Sequence, residues 1–503
     1  MKLIEVLDHI DAVSYEIPEQ LREFGVKNLC HNSRLADNGS LFVCKKGAVA
    51  DGHAYAASAY NKGARCFIAE RELDIPKDAA VIIVQDANIE LCKLAIEFYN
   101  RPAERLKIIG VTGTKGKTTV ALSIYSVLSS AGYNVGYVGT NGAYYGGKIH
   151  ETANTTPDCL ELQRIFYEML LCGVTTVVIE VSSQALWQNR IYGLKFNTCI
   201  FTNLYEDHIG GVEHPDIEHY KSCKRRLFTD YGAENVIVNA DSSEWRYMVE
   251  GAECVNLIRT SSSGNKDCDL YATDKIKMMN GMLPGISFVL NSEKSTFTGS
   301  HDVFIPIPGE YSIENSLLCI AACLKLGLDL SDIVAHLSKA TISGRFEPVL
   351  LESRPNSLFV IDYAHNGASL SAVLKTMREY CYGRIICLFG SVGGRTFGRR
   401  AELAQAAKAL ADIIIVTSDN PGDEDPQHIV DDIGKYLVGC DQEVFLIPDR
   451  QEAIHKAYEL ASDGDFVLLA GKGHEQYQLV GKEKIAFSEK EILLELDKMK
   501  SLT

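Results

Sequence analysis

Gly110-Val111-Thr112-Gly113-Thr114-Lys115-Gly116-Lys117-Thr118-Thr119 decides how this chain is read. Before it, Leu106 to Val111 is an apolar run of strand length. After it, Val120, Ile124 or Tyr125, Val127 and Leu128 recur at helical spacing until Gly132. Strand, glycine-rich turn and helix in that order make a phosphate cradle. Gly113 and Gly116 let backbone N–H groups curl round phosphate oxygens at a helix N-terminus. Lys117 supplies a cation for the β- and γ-phosphates, and the Thr118 hydroxyl suits a Mg²⁺ ion bridging them. Thr114, Lys115 and Thr119 complete the nucleotide-binding stretch. The spacing departs from the strict GxxxxGK[ST] pattern, because Val111 stands where its first glycine would fall. Strand, loop, GKTT and helix in order favour nucleotide binding over an incidental lysine in a turn.

Working outward, apolar runs follow at Val135–Val138, Thr175–Ile179, Thr198–Thr202 and Val236–Val238. Ahead of the loop, Leu41–Cys44, Ala64–Ile68 and Val81–Val84 mark a smaller α/β unit that ends at Arg101-Pro102. Near residue 340 the rhythm restarts, with runs at Leu358–Ile361, Ile385–Phe389, Ile413–Val416, Val444–Ile447 and Phe466–Leu469. Strands alternating with helices predict an α/β protein with mainly parallel sheets, the last unit doubly wound. The 503 residues, at about 150 per domain, fit three domains: 1–101, 102–339 and 340–503.

Composition narrows the function classes. Net charge is −16, from 66 acidic against 50 basic residues, which disfavours nucleic acid and anionic lipid as partners. No apolar run is long enough to span a membrane, and no secretory signal precedes the first unit. The fifteen cysteines include no CxxC pair, and Cys319 and Cys323 read as small buried groups. Reduced thiols in a cytoplasmic protein are expected.

A phosphate loop of this kind needs an acid to help hold magnesium, usually at the end of an adjacent strand. Glu180 ends the run Thr175–Ile179 and fits. His208, in FTNLYEDHIGG, follows another strand and offers a nitrogen ligand.

GTKGKTT, EVSSQAL, FTNLYEDH, GRFE, DYAH, SDNP and GKGHE occur in that order between residues 112 and 475. Together they resemble the Mur ligase family of ATP-dependent amide-bond-forming enzymes. NTTP, EVSS, DNP and GKGHE are most similar to the members that add a diamino acid to UDP-N-acetylmuramoyl-L-alanyl-D-glutamate in peptidoglycan synthesis. The resemblance implies an N-terminal domain for the UDP end of the substrate, a central ATPase domain and a C-terminal Rossmann-like domain for the amino acid. It implies ATP and Mg²⁺ as cofactors, small-molecule partners only, and a monomer. The implied reaction transfers the ATP γ-phosphoryl group to a carboxylate. An amine then displaces phosphate from the acyl phosphate.

The resemblance also assigns residues. Lys117, Glu180, His208 and Lys224 would be catalytic. Lys224 matches a lysine that family members carry as a carbamate (N6-carboxylysine), whose oxygens suit a hard cation as an ammonium cannot. Asn154, Thr155, Thr156, Ser182, Gln188 and Arg190 match positions that grip the sugar and peptide. Ser33-Arg34, with Ala48–Ala50 before Asp51-Gly52, match the uridine diphosphate pocket, although Asn32 replaces the usual Asp. Asn315, Arg345 and Asp362 match positions on the ATP side.

Arg395, Asp419, Asn420, Gly422, Gly471 and Glu475 match the amino-acid pocket. Members that add meso-diaminopimelate carry Asp-Asn-Pro-Arg, whose arginine clamps the distal carboxylate. Here the motif reads Asp419-Asn420-Pro421-Gly422. Without that cation an unpaired carboxylate is expensive to bury, so L-lysine is expected over meso-diaminopimelate. The acidic run Asp423-Glu424-Asp425 suits an ammonium, or is a solvated loop. Three alternatives stand beside this reading. One is a Mur-type paralogue with a different amino acid or acceptor. The others are a folate polyglutamylating ligase and a nucleotide-gated scaffold. DNP and GKGHE speak against the folate enzyme; the catalytic set speaks against the scaffold.

Overall fold

A computed structural model describes residues 1–47, 50–206, 209–210, 213–292, 299–394 and 397–501. Two compact units divide the chain, Met1–Thr260 and Ser261–Thr503.

The first unit holds two sheets. In the smaller, the strands run in the order Ala12–Glu16, Ala80–Val84, Cys66–Ala69, Ser40–Val43, Asn28–Cys30, and only the first is antiparallel to its neighbour. In the larger, Asn256–Ser261, Ala233–Asn239, Phe196–Phe201, Lys107–Thr112, Thr176–Glu180 and Val135–Gly139 are all parallel. Gly142–Tyr145 and Lys148–His150 extend that edge antiparallel.

The order of strands matters for the site. From Lys107–Thr112 the chain crosses to Val135–Gly139 and returns to Thr176–Glu180 beside the first strand. It then passes to Phe196–Phe201 on the opposite side. The sheet therefore reverses direction at the end of Lys107–Thr112, and crevices for ligands form at such switch points. Register places Glu180 opposite Val111, one residue from the turn into the glycine-rich loop. Every residue of Thr176–Glu180 is buried, as expected of a parallel strand covered on both faces.

Helix Cys159–Leu171 shows how the covering layer forms. Asp158 caps it by accepting the Glu161 N–H at 3.1 Å. Leu162, Ile165, Phe166 and Met169 recur at spacings of three and four, and all are buried in the sheet's core with Val177, Ile179 and Val138.

The second unit contains three antiparallel strands, Leu270–Asn280, Leu283–Ser292 and Gly299–Ile305, then helices Glu310–Lys325 and Leu330–Leu337. A six-stranded sheet follows, in the order Glu347–Val349, Leu358–Asp362, Phe466–Ala470, Ile385–Ser391, Ile413–Ser418, Glu443–Leu446. All but the first are parallel, with helices between them. The thirteen apolar runs picked out in sequence coincide with strands to within two or three residues at each end. The three antiparallel strands were not anticipated; in the first, Asp274–Met278 is largely exposed and carries two lysines, which breaks the apolar alternation.

Phe166→Ala should lower the unfolding free energy by about 3–5 kcal/mol, the usual cost of truncating a fully buried aromatic ring. Leu171→Ala, at the exposed end of the same helix, should stay within about 0.5 kcal/mol. Urea-unfolding midpoints of the two variants test this; equal midpoints would contradict the packing described.

Candidate active site

The glycine-rich loop is held from below. Thr114 N–H donates to the Asn203 carbonyl and Lys115 N–H to the Asn203 side chain, both at 2.9 Å. The Thr202 hydroxyl donates to the Lys115 carbonyl at 2.7 Å. Gly113 has no room for a side chain, since a Cβ there would sit 1.9 Å from Thr202 Oγ1. Helix Lys117–Ser130 starts at this point, with Lys115 exposed and Thr119 half-buried at its mouth. Lys117 Nζ curls back onto the loop, donating to the carbonyls of Gly113 at 2.9 Å and Thr114 at 3.1 Å.

Glu180 is fully buried at the end of its strand. Its Oε1 accepts the Tyr137 hydroxyl at 2.5 Å and the Thr140 N–H at 3.0 Å. Its Oε2 accepts the hydroxyls of Thr118 at 2.9 Å and Thr140 at 3.2 Å. Burial, then the Glu180 charge, push the Tyr137 phenol well up, which keeps it a donor. Thr118 and Glu180 thus form a pair of hard oxygen donors beside the phosphate loop, a donor set that fits magnesium.

Lys224 belongs to helix Ile217–Thr229, which Asp216 caps. The buried face of that helix is Tyr220, Cys223, Lys224, Leu227 and Phe228, so a lysine stands in an apolar seam. It is 1% exposed, donates to the Gly113 carbonyl at 2.9 Å and lies 4.5 Å from the centre of the Tyr220 ring.

A cavity of about 160 Å³ joins these groups. Its walls are Lys117, Asn154, Thr155, Ser182, Ser183, Gln184, Arg190, Glu213 and Lys224. Three cations against one acid, with no aliphatic side chain in the lining, suit an anionic, hydrogen-bonding ligand. Thr156 lies just behind: its hydroxyl donates to the Glu180 carbonyl at 2.8 Å and accepts the Ser182 N–H at 3.0 Å. Arg190 donates to the Thr156 carbonyl at 2.9 Å and to Gln188 Oε1 at 2.8 Å. Ser182 lines this cavity and also caps helix Ser183–Trp187. Ser33 sits elsewhere, buried in the turn Ser33–Leu35. Asn32 caps that turn by accepting the Arg34 N–H at 3.0 Å.

In the second unit, Asp362, Asp419 and Gly471 lie at or just beyond the carboxyl ends of three parallel strands. Asp362 accepts N–H bonds from Phe346 at 2.7 Å and Ala364 at 2.8 Å, tying the Gly344–Glu347 and Asp362–His365 segments together. Burial pushes its carboxyl up, against those two donors and the charge of Arg345. A Cβ on Gly344 would lie 2.3 Å from His474 N, so the Gly471–Glu475 loop touches the same backbone. The Arg345 guanidinium stands 5.2 Å from the Tyr363 ring centre. Asn315 is buried on helix Glu310–Lys325.

Lys472, fully buried, gathers several residues expected of the amino-acid pocket. It donates to Glu475 at 3.0 Å and Asn420 at 3.1 Å, with Asp419 at 3.7 Å. Asn420 in turn donates to Glu475 at 2.9 Å. Burial pushes the Asp419 carboxyl up, while Arg450 and Lys472 pull it down. Gly422 has φ +58, and a Cβ there would meet nothing within 4 Å. Of the acidic run, Glu424 pairs with Arg400 at 2.7 Å and Asp425 caps helix Pro426–Gly434. Those two carboxylates serve the fold. His208 and Arg395, with Ala48, lie outside the described residues.

Tyr137, Thr140, Ser183, Gln184, Glu213, Arg450 and Lys472 were not singled out in sequence. Ser183, Gln184 and Lys472 stood inside motifs that were. Tyr137 lies in an apolar run and reads as core. Arg450 begins helix Arg450–Leu460, where nothing in sequence marks that its guanidinium turns inward to Glu489, Ser418 O and Ala470 O.

Comparison with known proteins agrees with this layout. Residues 25–107 match the Mur ligase family catalytic domain, 111–323 the Mur ligase middle domain and 344–473 the Mur ligase glutamate ligase domain. The chain is 36% identical to UDP-N-acetylmuramoyl-L-alanyl-D-glutamate–2,6-diaminopimelate ligase of Clostridium perfringens, over 97% of this chain and 98% of that one. It is 37% identical to the protein of the same name from Geobacillus kaustophilus, over 92% of each. A solved structure of a ligase of that name, 28% identical, covers all of both chains with a TM-score of 0.67. A Thermotoga maritima MurF ligase solved with ADP shares the fold at 18% identity, covering 95% of this chain and 98% of that one, with a TM-score of 0.58. The chain belongs to the Mur ligase family of ATP-dependent ligases that form amide bonds.

Proposed function

We propose that this ligase adds a diamino acid, L-lysine in preference to meso-diaminopimelate, to the D-glutamate of UDP-N-acetylmuramoyl-L-alanyl-D-glutamate. The observation that carries the ligase chemistry is the cation-rich cavity beside the Thr118–Glu180 pair. Phosphoryl transfer between two anions is chiefly a problem of positioning and charge. Lys117 neutralises the transferred γ-phosphoryl group as its bond to ADP breaks and its bond to the substrate carboxylate forms. Arg190, oriented by Thr156 and Gln188, faces the substrate acid, and Asn154, Thr155 and Ser182 hold sugar and peptide. Magnesium held by Thr118, Glu180, His208 and a Lys224 carbamate would neutralise the phosphates. The incoming amine then attacks the acyl carbon, and phosphate leaves from the tetrahedral intermediate.

Three domains, 1–101, 102–339 and 340–503, divide the labour. Ser33 serves the uridine diphosphate end, Gly113–Thr119 with Asn315, Arg345 and Asp362 serve ATP, and Arg395, Asp419, Asn420, Gly422, Gly471 and Glu475 serve the amino acid. A monomer acting in the cytoplasm, where ATP and nucleotide-linked sugars are made, fits these substrates.

The lysine preference rests on Gly422, which offers no cation to a distal carboxylate. Asp419 and Glu475 share Lys472, and the nearby Arg450 is paired with Glu489, which leaves the neighbourhood suited to a cationic side chain. The second reading, meso-diaminopimelate, is favoured by the names of the curated relatives.

ADP release with the UDP-linked dipeptide and L-lysine, meso-diaminopimelate or L-ornithine decides between them. L-Lysine should give the highest kcat/KM, and a preference for meso-diaminopimelate would overturn the proposal. Gly422→Arg should weaken use of lysine and admit diaminopimelate, at a backbone cost of about 1–2 kcal/mol for a side chain in the left-handed region. An unchanged preference would remove Gly422 from the pocket. Lys117→Ala should lower kcat by about 10²–10³-fold, the cost of deleting one preorganised charge donor, with an unaltered circular dichroism spectrum. An active variant would defeat the phosphate-loop assignment. Lys224→Ala should lose activity and regain part of it with acetate, which replaces the missing carboxylate oxygens. Activity independent of Lys224 would defeat the carbamate.

A further inference from the structure

We infer that His214, His219 and Cys223 form a binding site for a borderline transition-metal cation, Zn²⁺ being the best match, on the helix that carries Lys224. Their ligand atoms all lie within 4.8 Å of one another. His214 Nδ1 and His219 Nδ1 are 2.8 Å apart, and Cys223 Sγ is 3.8 Å from either ring nitrogen of His219. A tetrahedral zinc ion with Zn–N of about 2.0–2.1 Å and Zn–S of about 2.3 Å separates its ligands by about 3.3 Å (N to N) and about 3.6 Å (N to S). Widening the N–N separation by about half an ångström, and drawing Cys223 Sγ to about 3.6 Å from both imidazole nitrogens, turns the present cluster, whose ligand atoms lie within 4.8 Å, into that geometry.

Three features go beyond proximity. His219 and Cys223 are four residues apart on helix Ile217–Thr229, so the helix itself holds them on one face. His214 is fully buried, and its other nitrogen, Nε2, lies 2.8 Å from Ser183 Oγ. With Nε2–H donating to that hydroxyl, the Nδ1 lone pair points at the cluster. This is the outer hydrogen bond by which ligating histidines are usually oriented. Trp187 walls the site, its ring centre 5.8 Å from that of His214 and 5.1 Å from that of His219. Half-exposed His219 leaves an approach from solvent. Two imidazoles and a thiolate select zinc, cobalt or copper over magnesium, whose hard oxygen donors lie at Thr118 and Glu180.

Binding releases the Cys223 thiol proton to solvent, the proton shared between the two imidazoles moves to His219 Nε2, and the metal takes their places. The occupied site would clasp helix Ile217–Thr229 to Ser183. Both Ser183 and Lys224 line the polar cavity, so metal occupancy is wired to the substrate pocket through one hydrogen bond and one peptide unit.

The test uses the full chain with its three least buried cysteines, Cys172, Cys254 and Cys440, changed to serine. Titration with Co²⁺ should give one equivalent of binding, a near-ultraviolet thiolate-to-cobalt band, and quenching of Trp187 emission. Zn²⁺ should displace the cobalt and bleach the band. Cys223→Ser should abolish the band, and His219→Ala should weaken binding at least tenfold, with circular dichroism spectra unaltered in both. Absence of the band in the parent protein, or a band that survives Cys223→Ser or is as tight in His219→Ala, would overturn the site.

Discussion

Everything in the first unit's site is arranged round one buried carboxylate. Taking the charge of Glu180 out of water costs several kcal/mol, and the chain offsets this with four donated hydrogen bonds. Bonds to a charged acceptor contribute about 1.5–3 kcal/mol each, so four repay the burial while one or two would not. The donors come from three places: the neighbouring strand's Tyr137, the turn at Thr140, and Thr118 at the start of the helix. Satisfying that single group therefore fixes the phosphate loop against the strand beside it. The Thr156 hydroxyl, bonded to the Glu180 carbonyl, carries the same constraint to the Asn154–Thr156 segment.

The second unit solves a similar problem with whole ions. Arg450 is buried with Glu489 at 2.8 Å and spends its remaining donors on the carbonyls of Ser418 and Ala470. Those carbonyls end the two strands that lead into the Asp419–Gly422 and Gly471–Glu475 loops. A guanidinium suits this because its planar fork bonds several acceptors in fixed directions. Lys472, a rotatable point charge, instead gathers Asn420 and Glu475 across the gap between those loops. Removing either cation would leave a buried carboxylate unpaired, the costly half of any buried pair.

How much of this was legible depends on whether the signal was local. Parallel strands buried on both faces are continuous apolar runs, so Thr176–Glu180 or Phe466–Ala470 stand out without any partner in view. The strand, loop and helix at Gly110–Thr119 were legible for the same reason. The antiparallel strands Leu270–Asn280 and Gly299–Ile305 were not, because their exposed stretches are polar and follow no simple period. Lys224 was legible only through family resemblance. A lysine in KSCKRRLF looks solvated, and nothing local says that this one faces Gly113 while Arg225 bonds the Glu250 carbonyl and Arg226 the Leu186 carbonyl. Tyr137 and Arg450 were missed because their roles depend on groups 43 and 39 residues away. Long-range polar pairing leaves no mark in a window of ten residues.

That division bears on where selectivity can reside. Asp419 and Asn420 sit against the strand end and are bound to Lys472 and Glu475, so changing them would strand a buried charge. Gly422, two residues further, is bound by backbone alone, its N–H donating to the Leu479 carbonyl and its own carbonyl accepting the Gly481 N–H. A side chain there projects into open space. The loop can therefore exchange a glycine for a cation-bearing residue at the cost of one left-handed backbone conformation, while the charged floor beneath it stays intact. Under the proposed function, the choice of amino acid would fall to a position that the core leaves open, beside positions that it pins.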